Sequence, residues 1–187
     1  MIHIQNLTKR YNGTTVYQDW SCTIPDGITY LLGPNGSGKR TLLRCIARYT
    51  KYAGTIHVSD PIAYLPEIRK WEEDWRICDF FNFLHELARH SPTKEWCNWA
   101  TRLAIDPANR QQLNACSKGT LNKIYVLGLL TDLRPTILFD EPTDAFDLDS
   151  KQVFLSILAD LAANRTVLVS THDASIIYAD APSIIRL

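Results

Sequence analysis

Seven consecutive residues, Gly33-Pro34-Asn35-Gly36-Ser37-Gly38-Lys39, set three glycines ahead of a lysine. They follow the apolar run Ile28–Leu32 and precede a helical pattern. In that setting the glycines let the backbone curl until its N–H groups point inward at phosphate oxygens, and Lys39 adds a positive charge for the β- and γ-phosphates. The chemistry is the binding of a nucleoside triphosphate. About a hundred residues on, Pro135-Thr136-Ile137-Leu138-Phe139-Asp140-Glu141 reads as a buried strand ending in two carboxylates. Asp140 is placed to hold the shell of a Mg²⁺ ion, and Glu141 to polarise an attacking water as general base.

The residue after the lysine breaks this pattern. A serine or threonine is wanted there, because its hydroxyl ligates Mg²⁺. Here it is Arg40, with Thr41 behind it. A guanidinium has five donors and no acceptor, so it cannot ligate a cation. Two arrangements follow. Arg40 replaces part of the metal's charge, giving nucleotide binding with a weak dependence on Mg²⁺, or it swings to solvent and leaves a weakened metal site. If it faces inward, Asp140 is its natural ion-pair partner, and that pair competes directly with Mg²⁺.

The elements that must position these residues alternate between strand and helix, which predicts an α/β fold. Strands are expected over Ile2–Leu7 and Val16–Ile24 around a turn at Asn12-Gly13, then over Ile28–Leu32, Thr55–Val58, Ile62–Leu65, Thr136–Phe139, Thr166–Ser170 and Ser183–Leu187. Helices are expected over Arg40–Tyr49, Asp79–His90, Thr93–Leu103 and Thr120–Leu133, the second and third separated by Ser91-Pro92 with the proline near the first helical position of the third. A last helix begins at Asp149, with Gln152 at capping-box spacing. Residues 67–115 carry no strand signal and read as a small helical insert. Four of the five tryptophans fall there, Trp71, Trp75, Trp96 and Trp99. They are expected to fill a small core; the sharper reading is an exposed aromatic groove that receives a helix from a partner subunit. The mixed run Arg69–Asp74 reads as a solvated loop.

With these residues the chain resembles the nucleotide-binding ATPase subunit of ABC transporters over nearly all of its length. The resemblance implies a P-loop NTPase core (residues 1–66 and 116–187) with an N-terminal antiparallel β-subdomain and a small helical subdomain (67–115). Cys116-Ser117-Lys118-Gly119-Thr120 is similar to the family's signature loop, usually Leu-Ser-Gly-Gly-Gln; Ser117 and Gly119 match, while Cys116, Lys118 and Thr120 depart. In this family that loop opens a helix and contacts the γ-phosphate of ATP held by the other subunit, so Ser117, Lys118, Gly119 and Thr120 are expected to act in trans. Tyr11 falls where the family stacks an aromatic on adenine. Glu67, in Tyr64-Leu65-Pro66-Glu67, falls at the Q-loop, where glutamine is usual; its carboxylate is expected to join Asp140 at the metal. Asp144-Ala145-Phe146-Asp147 resembles the D-loop of the dimer seam, and His172 the switch histidine that contacts the γ-phosphate. The resemblance thus implies Glu141 and His172 as catalytic residues. It implies Tyr11, Gly33, Pro34, Asn35, Gly36, Ser37, Gly38, Lys39, Arg40 and Thr41 as the ATP-binding set. ATP and Mg²⁺ are the expected cofactors.

The same resemblance implies two partners, a transmembrane permease subunit and a second ABC ATPase chain, identical or different. It also implies a cytoplasmic place, peripheral on the inner face of the cell membrane. A second reading is a nucleotide-gated regulatory subunit with little turnover, for which Arg40 and the altered signature speak. A third is a soluble ABC ATPase of DNA repair or translation. The balance of 20 Lys and Arg against 20 Asp and Glu gives no basic field, and no nucleic acid is expected. The cargo is not readable from this chain. The direction of transport is open, although the Tyr-Leu-Pro-Glu form is similar to that of exporter-type systems. At 187 residues and 45% hydrophobic, the chain has the size and composition of one globular domain. No stretch approaches the ~18 apolar residues of a membrane span, and Met1–Gln5 has no secretory h-region. The five scattered cysteines suggest neither a disulfide framework nor a zinc site.

Overall fold

The computed structural model describes residues 1–67, 74–89, 91–131, 134–177 and 183–187. The chain divides into two compact units. The first joins Met1–Tyr64, Arg134–Glu141 and Leu158–Leu187; the second joins Leu65–Leu133 and Pro142–Ile157. In chain order the elements are β1 (Ile2–Tyr11), β2 (Thr14–Ile24), β3 (Gly27–Leu32), α1 (Lys39–Ile46), β4 (Ala53–His57), β5 (Ile62–Leu65), α2 (Ile77–Ala88), α3 (Lys94–Arg102), α4 (Lys118–Leu129), β6 (Thr136–Asp140), α5 (Leu148–Ala162), β7 (Thr166–Thr171) and β8 (Ser183–Arg186).

Two sheets form, a three-stranded one ordered β2-β1-β4 and a five-stranded one ordered β5-β6-β7-β3-β8. The first is antiparallel. Its hairpin turns at Asn12 and Gly13, both with positive φ, the backbone of a tight primed turn. In the second sheet β3 runs parallel to β7 and β8, and β6 parallel to β7. Every residue of β6 and β7 is buried, the unbroken burial of strands covered on both faces. β1 is buried only at alternating positions, as a half-exposed strand is. Leu31, Leu138 and Leu168 of the parallel strands share one core with Leu42 and Ile46 of α1 and Ile2 and Ile4 of β1. The loops that carry the glycines and the carboxylates therefore leave from buried strands of the first unit.

α1 stops at Ile46 and not at Tyr49, because Arg48 turns left-handed (φ 62°). The Arg48 and Tyr49 N–H groups then donate to the carbonyls of Cys45 and Arg44, a Schellman closure.

In the second unit, α3 is capped by Thr93, whose hydroxyl accepts the Trp96 N–H at 3.1 Å. Pro92 therefore stands before the cap and not at the first helical position. Trp96 and Trp99 are core residues. The Trp96 indole donates to the Leu127 carbonyl of α4 at 3.1 Å and meets Phe81 edge to face at 5.3 Å. Trp75 is half-buried, edge-on to the exposed Phe83 at 5.2 Å. Trp71 and most of the run Arg69–Asp74 lie outside the described residues. α5 is capped by Asp147 and not by Asp149: its carboxylate accepts the Ser150 N–H at 2.7 Å. Hydrogen bonding from the Ser150 side chain, and next from its backbone N–H, holds the Asp147 carboxyl below its ordinary range.

Trp99 is fully buried, so Trp99→Ala is expected to lower the unfolding free energy by about 3–5 kcal/mol. Thr93→Ala, which removes only a cap, should cost about 1 kcal/mol. Urea denaturation followed by circular dichroism checks both. Equal losses from the two variants would contradict this packing.

Candidate functional site

The glycine loop leaves the end of β3 and enters α1 through Gly38, whose φ of 104° only glycine adopts without strain. A Cβ there would stand 2.9 Å from the Tyr17 hydroxyl and 3.1 Å from Val16. The Tyr17 phenol donates to the Gly38 carbonyl at 3.2 Å. Burial raises its pKa far above the ordinary tyrosine value, so it stays a protonated donor. No motif marks Tyr17, because its partner is a backbone carbonyl 21 residues away. Pro34, Asn35 and Gly36 form the exposed crest of the loop, with Ser37 half-buried behind them. The Lys39 ammonium is curled beneath, donating to the Gly33 carbonyl at 2.6 Å and the Pro34 carbonyl at 3.1 Å. Thr41 is half-buried in the first turn of α1.

The acidic pair at the end of β6 meets this loop. In a regular strand, neighbours Asp140 and Glu141 would point to opposite faces. Glu141 is instead left-handed, with φ 48°, and the alternation breaks there. As a result Asp140 pairs with Arg40 and Glu141 with Lys39. Arg40 Nε donates to Asp140 Oδ2 at 2.9 Å. Lys39 Nζ lies 3.5 Å from Glu141 Oε1. The second oxygen of each carboxylate is held from β7 or the turn after it. Ser170 Oγ donates to Asp140 Oδ1 at 2.9 Å and itself accepts the Glu141 N–H at 3.1 Å. His172 Nδ1 stands 3.0 Å from Glu141 Oε2. Glu141 Oε1 is buried and has no hydrogen-bond partner. It is an acceptor placed to take a hydrogen bond from water. Ser170 carries the network yet was not among the expected residues. Its signal in the sequence is a small hydroxyl that closes the apolar stretch Val167–Val169.

The donors present do not fit a Mg²⁺ ion. The position that should offer a hydroxyl oxygen offers a guanidinium, and both Asp140 oxygens already accept hydrogen bonds. Among the described residues no group of three His, Cys, Asp or Glu side chains is arranged to hold a metal. Glu67 is half-buried and belongs to the second unit, whereas Asp140 belongs to the first. Tyr11 ends β1 in an exposed position, with the Lys9 ammonium 4.4 Å from its ring centroid.

In the second unit, Ser117 caps α4, its hydroxyl accepting the Thr120 N–H at 3.1 Å. Ser117 and Lys118 are exposed. Lys118 Nζ pairs with Asp144 Oδ2 at 2.5 Å, and Asn122 Nδ2 donates to the Asp144 carbonyl. A Cβ on Gly119 would come within 2.6 Å of the Ala145 carbonyl. The two loops Cys116–Thr120 and Asp144–Asp147 are thereby fastened to each other.

The ABC transporter family profile matches residues 17–144, more than half of the chain. An uncharacterised ABC transporter ATP-binding protein of Methanocaldococcus jannaschii is 29% identical over 177 residues, covering 91% of this chain and 68% of that protein. The zinc import ATP-binding protein ZnuC of Rickettsia bellii is 25% identical over 193 residues, covering 100% of this chain and 82% of its own length. The solved structure of a putative ABC transporter ATP-binding protein from Pyrococcus furiosus superposes with a TM-score of 0.84 at 24% identity, covering all of this chain and 96% of that one. The P-loop NTPase fold, the paired acidic strand end and the profile match agree, and the chain belongs to the ABC transporter family as one of its ATP-binding, nucleotide-binding domains.

Proposed function

We propose that this chain binds and hydrolyses ATP to power transport through a separate transmembrane permease subunit. The observation that carries the reading is the state of Glu141: half-buried, with Oε2 beside His172, and with a buried Oε1 that has no hydrogen-bond partner near the Lys39 ammonium. In this reading the loop amides and Lys39 hold the β- and γ-phosphates. Glu141 Oε1 orients a water and takes its proton as the oxygen attacks the γ-phosphorus and the bridging bond to the β-phosphate oxygen breaks, releasing ADP and phosphate. His172 fixes the Glu141 carboxylate and bears on the γ-phosphate. The relatives' names, all of ATP-binding proteins of transporters, give no support to a regulatory subunit without turnover.

A head-to-tail dimer completes each site with Ser117, Lys118, Gly119 and Thr120 of the second chain. The exposure of Ser117 and Lys118 supports that role. Tyr11 stacks on adenine. Residues 67–115 serve as the helical subdomain that meets the permease, with Glu67 relaying its movement to the nucleotide. Among the described residues no helix is long and apolar enough to cross a membrane. In this reading the permease supplies the channel and the chain is peripheral on its cytoplasmic side. The similarity to a zinc import protein favours uptake of a metal species over export.

Glu141→Gln is expected to cut phosphate release by at least about a hundredfold while ATP is still bound. Full turnover in that variant would contradict the assignment. If the dimer is of identical chains, Glu141→Gln and Ser117→Ala chains mixed in equal amounts should recover about a quarter of wild-type turnover. Half of the dimers are then mixed, and each carries one intact composite site. No recovery on mixing would contradict the composite site in a dimer of identical chains.

A further inference from the structure

We infer that the Arg40 guanidinium takes the place of the divalent cation at this site, so that the chain binds its nucleotide as the free polyanion and not as a metal complex. The inference rests on the nucleotide-binding reading above and specifies the form of the ligand.

Asp140 is 1% exposed, and a carboxylate so buried is costly unless it is paired and hydrogen-bonded. Both requirements are met by protein groups, Arg40 Nε at Oδ2 and Ser170 Oγ at Oδ1. The negative charge is felt nearby: the pKa of the Tyr64 phenol is raised far above its ordinary value, first by burial and next by Asp140. A metal at this point would have to displace a permanently charged guanidinium from a desolvated carboxylate. It would gain no oxygen from position 40 in return, since arginine accepts no bonds and ligates no cation. Thr41 cannot supply the missing hydroxyl from the same direction, because successive side chains of a helix diverge by roughly 100°.

The Arg40 side chain remains 44% exposed although its Nε is bound to Asp140. Its charge therefore sits against a sealed anion while part of the side chain stays at the surface, one residue from the Lys39 ammonium beneath the glycine loop. A cation ligated by Asp140 would stand in that place and neutralise phosphate oxygens there. A guanidinium offers the same oxygens a fixed charge and donors in a planar fork, without a coordination shell to complete. Two fixed side-chain cations, Lys39 and Arg40, then face the polyanion where the family pattern supplies one lysine and one ion.

The test is equilibrium binding of ATP to the purified full chain by calorimetry, once in excess EDTA and once in excess Mg²⁺. Wild type is expected to bind ATP in EDTA and to gain less than about threefold from Mg²⁺. A larger gain overturns the inference and leaves the nucleotide-binding reading standing. No binding in either condition overturns both. Arg40→Ser restores the hydroxyl. It is expected to bind at least about tenfold more weakly than wild type in EDTA, the scale of a lost hydrogen bond between charged groups, and to recover in Mg²⁺. Circular dichroism checks that this variant is folded. If it is not, the wild-type pair of measurements decides alone. A folded Arg40→Ser chain that binds as wild type does in both conditions also overturns the inference.

Discussion

The buried charge of Asp140 is the constraint on which the nucleotide site depends. A carboxylate at the end of a wholly buried strand must find partners or be neutralised. It finds Arg40 on one oxygen and Ser170 on the other. Those two contacts tie the first turn of α1 to β6 and β7, the neighbouring strands of the parallel sheet. The same serine accepts the Glu141 N–H, so the left-handed residue that follows the strand is held by the group that satisfies Asp140. Glu141 then reaches Lys39 and His172. The result is a two-rung ladder of Lys39 with Glu141 and Arg40 with Asp140, built from two adjacent residues on each side. The Lys39 rung follows the left-handed turn of the backbone at Glu141, while the Arg40 rung is made by the last residue of the strand itself.

The second unit applies a different economy to its loops. The signature-like loop departs from the family at Lys118, and the structure gives that lysine a partner in Asp144. Asn122 holds the Asp144 carbonyl, and Gly119 lets the Ala145 carbonyl approach closer than any side chain would allow. A substitution that looks like decay in the motif therefore has a structural counterpart in the neighbouring loop. The exposed ion pair contributes little stability by itself. The fastening comes from the asparagine bond and the glycine contact.

Most of this was legible in the sequence because it rests on local chemistry. The glycine loop, the apolar strands around it and the acidic strand end follow from residue types at short spacing. The Arg40–Asp140 contact follows from placing a donor-only side chain opposite a carboxylate. What was not legible rests on long-range packing. Tyr17 supports the loop through a backbone carbonyl, and nothing in a strand pattern marks a phenol as a donor to a distant turn. Ser170 lies in the run that predicted a buried strand, and its contact depends on the β6–β7 register. Helix ends moved for local reasons that propensity does not resolve. Arg48 closed α1 early, and Asp147 took the cap expected of Asp149, since both residues satisfy the same compositional rule.

The most direct measurement is a crystal structure of the chain with a non-hydrolysable ATP analogue, grown in excess Mg²⁺. The account predicts Arg40 still bonded to Asp140, its guanidinium in contact with phosphate oxygen, and no cation on Asp140. A metal ion coordinated by Asp140, with Arg40 turned out to solvent, would contradict it.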